Sequence, residues 1–312
     1  GGKVGADGVN VETKNAYMFF KANGFNTKAG IQGINSGCDN TFIFQDAAAL
    51  VVSKKFGELG TTFIWSKFNE NAPSLTTDYG TEDLDVYGVK VAPALGFGKL
   101  DFGLFYISNE VNNAEQFTAA VEFTGKVAGL DLKAWLQAQM GDRVANGGNG
   151  HDAVAMSAKI SGAFGAARMI VYGASGDGFE DQSDVYEFPD TGLSIFMTDK
   201  FHNNGGQGAL ALKDAAYAGN GLFSLIYTGK QNIDKLYVNY AAGYFMALDD
   251  VGTEGTNLGL EVSAGVGTKV TEKVDLSLRG SYALLGDYYD APAGGSAPDD
   301  PYKVVAMLDM RF

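Results

Sequence analysis

Apolar and polar residues alternate with a period of two along much of the chain, a pattern that predicts β-strands. In Leu130–Met140 the even positions are apolar, whereas Asp131, Lys133, Gln137 and Gln139 fill most of the positions between them. The same alternation recurs in Asn257–Lys269, where it places Leu258 on the apolar face, and in Lys273–Leu284. Because successive side chains of a strand point to opposite faces, each segment has one apolar and one polar face. No helical period of any length accompanies this pattern.

Fifteen segments of this kind are separated by connections that are alternately short and long. The predicted strands are Asn15–Lys21, Thr27–Gly33, Ala47–Phe56, Thr61–Phe68, Asp83–Pro93, Lys99–Ser108, Glu115–Val127, Leu130–Met140, Asp152–Gly162, Ala166–Ala174, Gly221–Thr228, Lys235–Leu248, Asn257–Val270, Lys273–Leu285 and Tyr302–Phe312. Hairpin spacing of this kind predicts an antiparallel sheet. Strict alternation of short turns and long loops is typical of a barrel that crosses an outer membrane, where the short turns lie on the periplasmic side.

The last segment, Tyr302–Phe312, has a wholly apolar face with an aromatic residue at each end. Its other face carries Lys303, Asp309 and Arg311. This ending resembles the closing strand of a bacterial outer-membrane porin. The resemblance implies an all-β, transmembrane antiparallel β-barrel in the outer membrane of a Gram-negative bacterium, with Phe312 as an assembly signal. It also implies contact with outer-membrane lipid and lipopolysaccharide, and assembly as a homotrimer.

The strand number follows from parity. Counting back from Phe312, the strand Asn15–Lys21 runs toward the periplasm, so residues 1–13 belong to an external loop. A closed bacterial barrel has an even number of strands, which favours sixteen, with one strand upstream of Gly1. A rival interpretation is that residues 2–12 pair as a poor edge. An extra hairpin within Ser175–Asn220 gives the alternative of eighteen strands.

Composition is compatible with one barrel domain that spans all 312 residues. The net charge is −14 and glycine contributes 43 residues, whereas cysteine is represented by Cys38 alone. A single cysteine forms no internal disulfide, so Cys38 is interpreted as an inert loop or rim thiol. The acidic charge argues against a nucleic-acid partner.

Charged residues on the predicted polar faces are the candidate lining of a pore. Basic and acidic side chains are mixed there with a slight basic excess, whereas the acidic excess of the chain lies in the loops. In a water-filled pore such groups set ion preference through the local potential. The candidate pore-lining residues are Lys133, Arg168, Lys235, Arg279, Glu122, Glu261 and Asp275.

The connection Ser175–Asn220 is long enough to act as a constriction inside the barrel or as a cap outside it. Its candidate residues are the carboxylates Asp177, Glu180, Asp181 and Asp184. The apolar stretch Leu193–Met197 needs a surface to cover it, which favours the inward fold. An inward loop predicts weak cation preference and an outer cap predicts weak anion preference. The acidic spacing matches no EF-hand, so a loop-bound Ca²⁺ is only an open alternative, and no other metal or cofactor is expected.

Three functions compete at this point. A porin that passes small hydrophilic solutes by passive diffusion accounts for the polar faces and needs no catalyst. A scaffold barrel that holds a surface partner, such as a cytochrome or an adhesin, needs a sealed interior, and Gly, Ser and charged residues do not favour one. An outer-membrane enzyme needs a nucleophile beside a histidine, but the two histidines, His151 and His202, sit in no nucleophile motif. The sequence therefore predicts a non-enzymatic channel.

Overall fold

The structure is a computed structural model that describes residues 2–3, 10–11, 15–35, 37–38, 43–70, 83–109, 114–143, 151–175, 182–183, 193–196, 221–249, 255–290 and 298–310. Strands dominate these residues. They are β1 (Gly2–Lys3), β2 (Asn10–Val11), β3 (Ala16–Ala22), β4 (Phe25–Asn35), β5 (Ile43–Phe56), β6 (Leu59–Glu70), β7 (Asp83–Leu95), β8 (Gly98–Asn109), β9 (Ala114–Val127), β10 (Leu130–Arg143), β11 (His151–Phe164), β12 (Ala167–Ala174), β13 (Gln182–Ser183), β14 (Leu222–Ile233), β15 (Leu236–Met246), β16 (Asn257–Thr271), β17 (Val274–Leu285) and β18 (Tyr302–Met310).

Fifteen of these strands form one antiparallel sheet in which each strand pairs with its neighbours in the chain. The sheet runs from β3 to β18 and omits only the short β13 from its path. All fifteen predicted strands are present, with ends that differ by a few residues. Seven two-residue turns alternate with longer connections, as the sequence predicted. Arg311 and Phe312 lie outside the described residues, so the assembly signal stays a prediction.

Two further short pairings lie off the path of this sheet. Gly2–Lys3 pairs antiparallel with Asn10–Val11 as a separate two-stranded sheet. Among the described residues neither strand pairs with β3, so the rival interpretation of residues 2–12 as a poor edge stays a prediction. Gln182–Ser183, from the long connection, pairs in parallel with Ile43–Phe44 of β5. The remaining part of the connection in which an extra hairpin was considered lies largely outside the described residues. A sixteenth strand upstream of Gly1 stays a prediction.

The two faces of the sheet differ as the alternation predicted. In β18 the side chains of Tyr302, Val304 and Leu308 are 78%, 68% and 56% exposed, whereas Lys303 and Asp309 on the other face are partly covered. In β10 the odd positions Trp135, Gln137 and Gln139 are buried and Leu136 is exposed. We call these the apolar face, which is exposed, and the polar face, which is partly or wholly covered.

One predicted outward residue lies elsewhere. Leu258 was assigned to the apolar face of its strand, but its side chain is fully buried. Phe245 pairs with Gly259 and Met246 pairs with Asn257, so Leu258 is the extra residue of a β-bulge. Gly259 adopts a φ of 128°, which a residue with a Cβ rarely adopts. The bulge thus ends the regular alternation near the long-connection end of β16.

The position of Lys235 also differs from the prediction. The sequence placed it at the start of a strand and on the polar face, after a turn at Gly229–Asp234. Instead β14 continues to Ile233, and Lys235 occupies the two-residue turn with Asp234, which has a φ of 53°. Turn residues such as Gly229 and Asn232 suggested an early end, but pairing of β14 with β15 continues through both of them.

The chain divides into two compact units. Unit 1 contains Gly1–Phe123, Gln137–Val154 and Glu180–Val185, and unit 2 contains Thr124–Leu136, Ala155–Phe179 and Tyr186–Phe312. Among the described residues, no helix has both the length and the apolar character needed to cross a membrane.

Candidate functional site

In unit 2 a piece of the long connection docks on the polar face of the sheet. Leu193, Ser194, Ile195 and Phe196 are all buried, with exposed fractions of 4% or less. We call residues 193–196 the docked segment. It belongs to the apolar stretch Leu193–Met197, for which the sequence predicted a covering surface. Residues 193–196 therefore lie against the polar face of the sheet. The inward fold of the whole connection stays a prediction.

Glu261 of β16 holds the docked segment through its backbone. The Glu261 carboxylate accepts hydrogen bonds from the N–H groups of Ser194 at 2.6 Å, Ile195 at 3.0 Å and Phe196 at 2.8 Å. Three successive N–H groups that point at one anion form a concave backbone nest. Hydrogen bonds to an ionised group contribute about 1.5–3 kcal/mol each, so this contact is a strong local anchor. Glu261 itself has no exposed surface.

Three serine hydroxyls extend this anchor across the sheet. Ser194 Oγ shares a hydrogen bond of 2.8 Å with Ser281 Oγ, and Ser281 Oγ donates to Ser263 Oγ at 3.1 Å. Ser263 and Ser281 are directly paired on β16 and β17, and both are buried. The hydroxyl chain satisfies polar groups that burial would otherwise leave without partners. It also fixes the lateral position of the docked segment.

Apolar contacts complete the docking. The ring of Phe196 lies 5.0 Å from that of Phe245 and 6.4 Å from that of Tyr289, between ring centroids. A Cβ at Gly243 would lie 2.6 Å from Leu193 Cδ1 and 2.8 Å from the Phe245 ring. Glycine at position 243 therefore leaves the space that Leu193 occupies. The segment inserts apolar side chains where a polar face would otherwise meet water.

In unit 1 a second connection is held in a similar way. The backbone N–H of Cys38, in the connection between β4 and β5, donates to Glu122 Oε2 of β9 at 2.6 Å. Cys38 is 1% exposed and has a φ of 52°, which costs a non-glycine residue about 1–3 kcal/mol. The interpretation of Cys38 as a loop thiol holds for its position, but the side chain is buried rather than at a rim.

The Cys38 contact borders a charged cavity of about 200 Å³ on the polar face of unit 1. Lys90, Lys99, Asp101 and Glu122 line it together with Cys38. Lys99 Nζ lies 2.6 Å from Asp101 Oδ2, so one of its two bases is paired with an acid. The cavity thus presents charges of both signs, in agreement with the mixed wall that the sequence predicted.

A larger cavity of about 370 Å³ lies on the polar face of unit 2, near the short turns. It brings together three candidate pore-lining residues, Arg168, Arg279 and Asp275, and adds Lys230 and Asp309. The Tyr237 hydroxyl donates to Asp275 Oδ1 at 2.6 Å, and Lys230 Nζ lies 3.8 Å from the centroid of the Tyr237 ring. Three bases and two acids therefore share one water-accessible recess.

The remaining candidates are distributed as follows. Lys133 lies on the polar face of β10, where its carbonyl oxygen accepts a hydrogen bond from Ser161 Oγ. Asp177, Glu180, Asp181 and Asp184 lie outside the described residues. Among the described residues no group of three or more His, Cys, Asp and Glu side chains could hold a metal ion. The Ca²⁺ alternative concerned the acidic connection, so it stays untested.

Glu122 and Glu261 were both predicted to line the pore, but the alternation within their strands gives no indication that they anchor connections. A signal existed for Glu261, because it is the single acid among the Gly and Ser residues on its face of β16. No comparable signal marked Gly243 or Cys38, since their roles depend on connections that fold back across the sheet.

Solved structures with the same fold are outer-membrane porins of Pseudomonas aeruginosa. OpdQ matches with a TM-score of 0.53 and 12% identity, over 94% of this chain and 79% of that one. OccK5 (OpdH) matches with a TM-score of 0.50 and 10% identity, over 95% of this chain and 81% of that one. OccK2 (OpdF), solved in complex with glucuronate, matches with a TM-score of 0.50 and 10% identity, over 95% and 79%.

No protein-family model matches the sequence, and no curated protein matches it. At such low identities the likeness to solved structures shows the fold alone. It confirms the predicted fold class, an antiparallel β-barrel, and the resemblance to bacterial outer-membrane porins.

Proposed function

We propose that this chain is a channel of the Gram-negative outer membrane, through which small hydrophilic solutes and ions pass by diffusion. One observation carries the proposal. The sheet exposes its apolar face and covers its polar face, which is the reverse of what a water-soluble protein does. A barrel in lipid requires this arrangement, because its outer surface meets hydrocarbon and its interior holds water.

The apolar face supports the location in lipid. Exposed side chains recur at alternate positions of many strands, as in Phe63 and Trp65 of β6 or Leu276 and Leu278 of β17. In water this surface would be a strong driving force for aggregation. In a bilayer the same side chains contribute favourable transfer free energy, and the sheet satisfies the backbone groups internally.

The polar face supports a hydrated interior. Arg168, Arg279 and Asp275 border an open recess in unit 2, and Lys90 and Glu122 border another in unit 1. Groups of both signs attract water and small polar solutes without holding either ion type tightly. The complex of OccK2 with glucuronate supports small hydrophilic molecules as the solute class.

The docked segment supports a narrowed passage. Its anchor on Glu261 places part of the connection Ser175–Asn220 against the polar face rather than beyond the strand ends. We propose that this connection constricts the channel. Its acidic residues Asp177, Glu180, Asp181 and Asp184 would then set the charge of the narrowest region.

Two other functions remain as alternatives to be tested. A scaffold barrel would grip a surface partner and would conduct no ions. An outer-membrane enzyme has weaker support, because the structural neighbours are porins and channels. We further propose a homotrimer with lipopolysaccharide around it and no nucleic-acid partner, and chemical cross-linking of refolded protein in lipid would test the trimer.

Single-channel recording in planar bilayers tests the proposed function. Stable open steps in KCl, with conductance that scales with salt concentration, are the expected result. Refolded protein that inserts in the bilayer but remains silent would overturn the channel and favour the scaffold. Solute entry is then measured by swelling of liposomes that carry the protein, with sugars and sugar acids of increasing size.

A further inference from the structure

Lys54 of β5 is a charged side chain that departs from the two-face pattern. Lys54 pairs with Thr61 of β6, and Thr61 shares its face of β6 with the exposed Phe63, two residues further along. Lys54 therefore lies on the apolar face. Among the described residues it is the one charged side chain on this face in the half of the sheet next to the short turns. A cation at that place requires a partner or access to water.

Two aromatic rings flank the Lys54 ammonium group. Its Nζ lies 4.1 Å from the centroid of Phe25 and 5.3 Å from that of Phe56. It also donates to the Asn23 carbonyl oxygen at 3.4 Å, in the turn between β3 and β4. An ammonium group has three N–H donors, so this contact leaves others for a ligand. Within the described part of the chain, no carboxylate forms an ion pair with Lys54.

The height of Lys54 along the strand identifies the surroundings. Phe56 immediately precedes the turn Gly57–Glu58, and Phe25 immediately follows the turn Asn23–Gly24. Aromatic residues at strand ends mark the level of the lipid headgroups in outer-membrane barrels. Lys54 therefore faces the layer in which the phosphate groups of phospholipids lie.

Other lysines near the short turns do not share this position. Lys126 pairs with Asp131 at 3.2 Å, and Lys99 pairs with Asp101, both on the polar face. Lysines nevertheless flank or occupy most of the short turns of a chain whose net charge is −14. Among the strand residues that the structure describes, however, Lys54 alone reaches the headgroup layer from the apolar face, so only Lys54 is expected to bind a headgroup directly.

We propose that Lys54, between Phe25 and Phe56, binds the phosphate of an anionic phospholipid in the leaflet next to the short turns. The inference rests on the proposed function, because it requires the apolar face to lie in a membrane. The rings cover the acyl-glycerol region, and the ammonium group donates charge-assisted hydrogen bonds to the phosphate oxygens. A net negative headgroup is favoured over a zwitterionic one, in which an attached ammonium group competes with Lys54.

Native mass spectrometry of refolded protein with added phosphatidylglycerol or phosphatidylcholine tests the site. The wild type is expected to retain phosphatidylglycerol preferentially, and Lys54→Gln to lose about fivefold in that retention. Lys54→Arg keeps the charge and should keep the lipid. Lys126→Gln removes a lysine at the same end of the sheet, on the polar face, and should change nothing.

Three outcomes would overturn the site: equal lipid retention by Lys54→Gln and wild type, an equal loss in Lys126→Gln, or no preference between the two lipids in the wild type. The first would mean that Lys54 merely reaches interfacial water. Folding of each variant is checked by heat-modifiable mobility. Planar-bilayer conductance of the same Lys54→Gln protein decides separately whether the chain is a channel, so the two proposals can fail independently.

Discussion

The Glu261 carboxylate lies 2.6 Å from the backbone nitrogen of Ser194, although 67 positions separate the two residues in the chain. This contact, with those to Ile195 and Phe196, joins a long connection to the wall of the sheet. A buried carboxylate that accepts three N–H groups is stable only while those donors remain in place. Each side of the contact therefore depends on the other, and substitutions on either side should release the segment.

Replacing Glu261 by Ala should release the docked segment. Three buried N–H groups would lose their acceptor, and each unsatisfied donor costs about 1–3 kcal/mol. The segment would therefore have a lower free energy when it leaves the sheet and forms hydrogen bonds with water. We expect larger or noisier single-channel conductance and faster proteolysis within residues 175–220. Glu272→Gln, in the exposed turn of the same hairpin, is the matched control. Conductance and proteolysis that match the wild type would show that Glu261 does not hold the segment.

Gly243→Ala should displace the segment from the same wall, because Gly243 pairs directly with Glu261 on the neighbouring strand. The added Cβ would lie 2.6 Å from Leu193 Cδ1 and 2.8 Å from the Phe245 ring, so the apolar contacts must separate. We expect the same rise in conductance noise as for Glu261→Ala, with a loss of stability of about 1–3 kcal/mol. A Cβ at Gly280 of β17 meets nothing within 4 Å, so Gly280→Ala should leave both quantities unchanged.

Cys38 reports on the second anchored connection, because it is the one cysteine in the chain. Its burial predicts slow reaction of the native protein with a maleimide reagent. Glu122→Ala removes the acceptor of the Cys38 N–H and should accelerate labelling by about tenfold. This factor corresponds to a decrease of about 1.4 kcal/mol in the free energy of the local opening that exposes the thiol. Glu122→Gln keeps one acceptor oxygen and should label more slowly than Glu122→Ala.

The control for this experiment is Asp101→Asn, which disturbs the same cavity without touching Cys38. Equal labelling rates in Glu122→Ala and Asp101→Asn would mean that the cavity, and not the Glu122 hydrogen bond, protects the thiol.

The assignment of faces is tested by two adjacent positions of β17. Leu278 is 51% exposed on the apolar face, whereas Ser277 lies on the polar face beside the unit 2 cavity. Leu278→Arg should cost about 2–4 kcal/mol of folding free energy in a bilayer, and Ser277→Arg much less. Urea titrations of the two variants in lipid vesicles measure this difference. Equal losses would reverse or abolish the assignment of faces.

Ion selectivity tests the position of the acidic part of the long connection. If it narrows the channel, a variant in which Asp177, Glu180, Asp181 and Asp184 become Asn or Gln should shift the reversal potential in a KCl gradient toward anions. An outer cap would be screened over about 8–10 Å, and its neutralisation would change little. An unchanged reversal potential would indicate that the connection does not set ion selectivity, and Lys133, Arg168 and Arg279 on the polar face would then be the residues to substitute.

The sequence by itself determined the sheet. The period of two in segments such as Leu130–Met140, and the alternation of short and long connections, depend on local geometry that each residue carries with it. All fifteen strands of the sheet and the faces of residues such as Lys303 and Leu308 were predictable for this reason. The prediction for Lys235 failed because the turn is shorter than the six residues expected, and the prediction for Leu258 failed because a β-bulge interrupts the alternation. Local composition specifies neither the length of that turn nor the bulge.

Only the tertiary structure decided the anchors. Glu261 looks like any polar-face acid until residues 193–196 meet it, and Gly243 looks like any strand glycine until Leu193 occupies the space above it. Cys38 and Glu122 are 84 positions apart, and no periodicity relates them. Contacts of this kind depend on where a connection returns in space, which is set by the packing of side chains and the satisfaction of buried polar groups across the whole sheet rather than by the pattern within any strand.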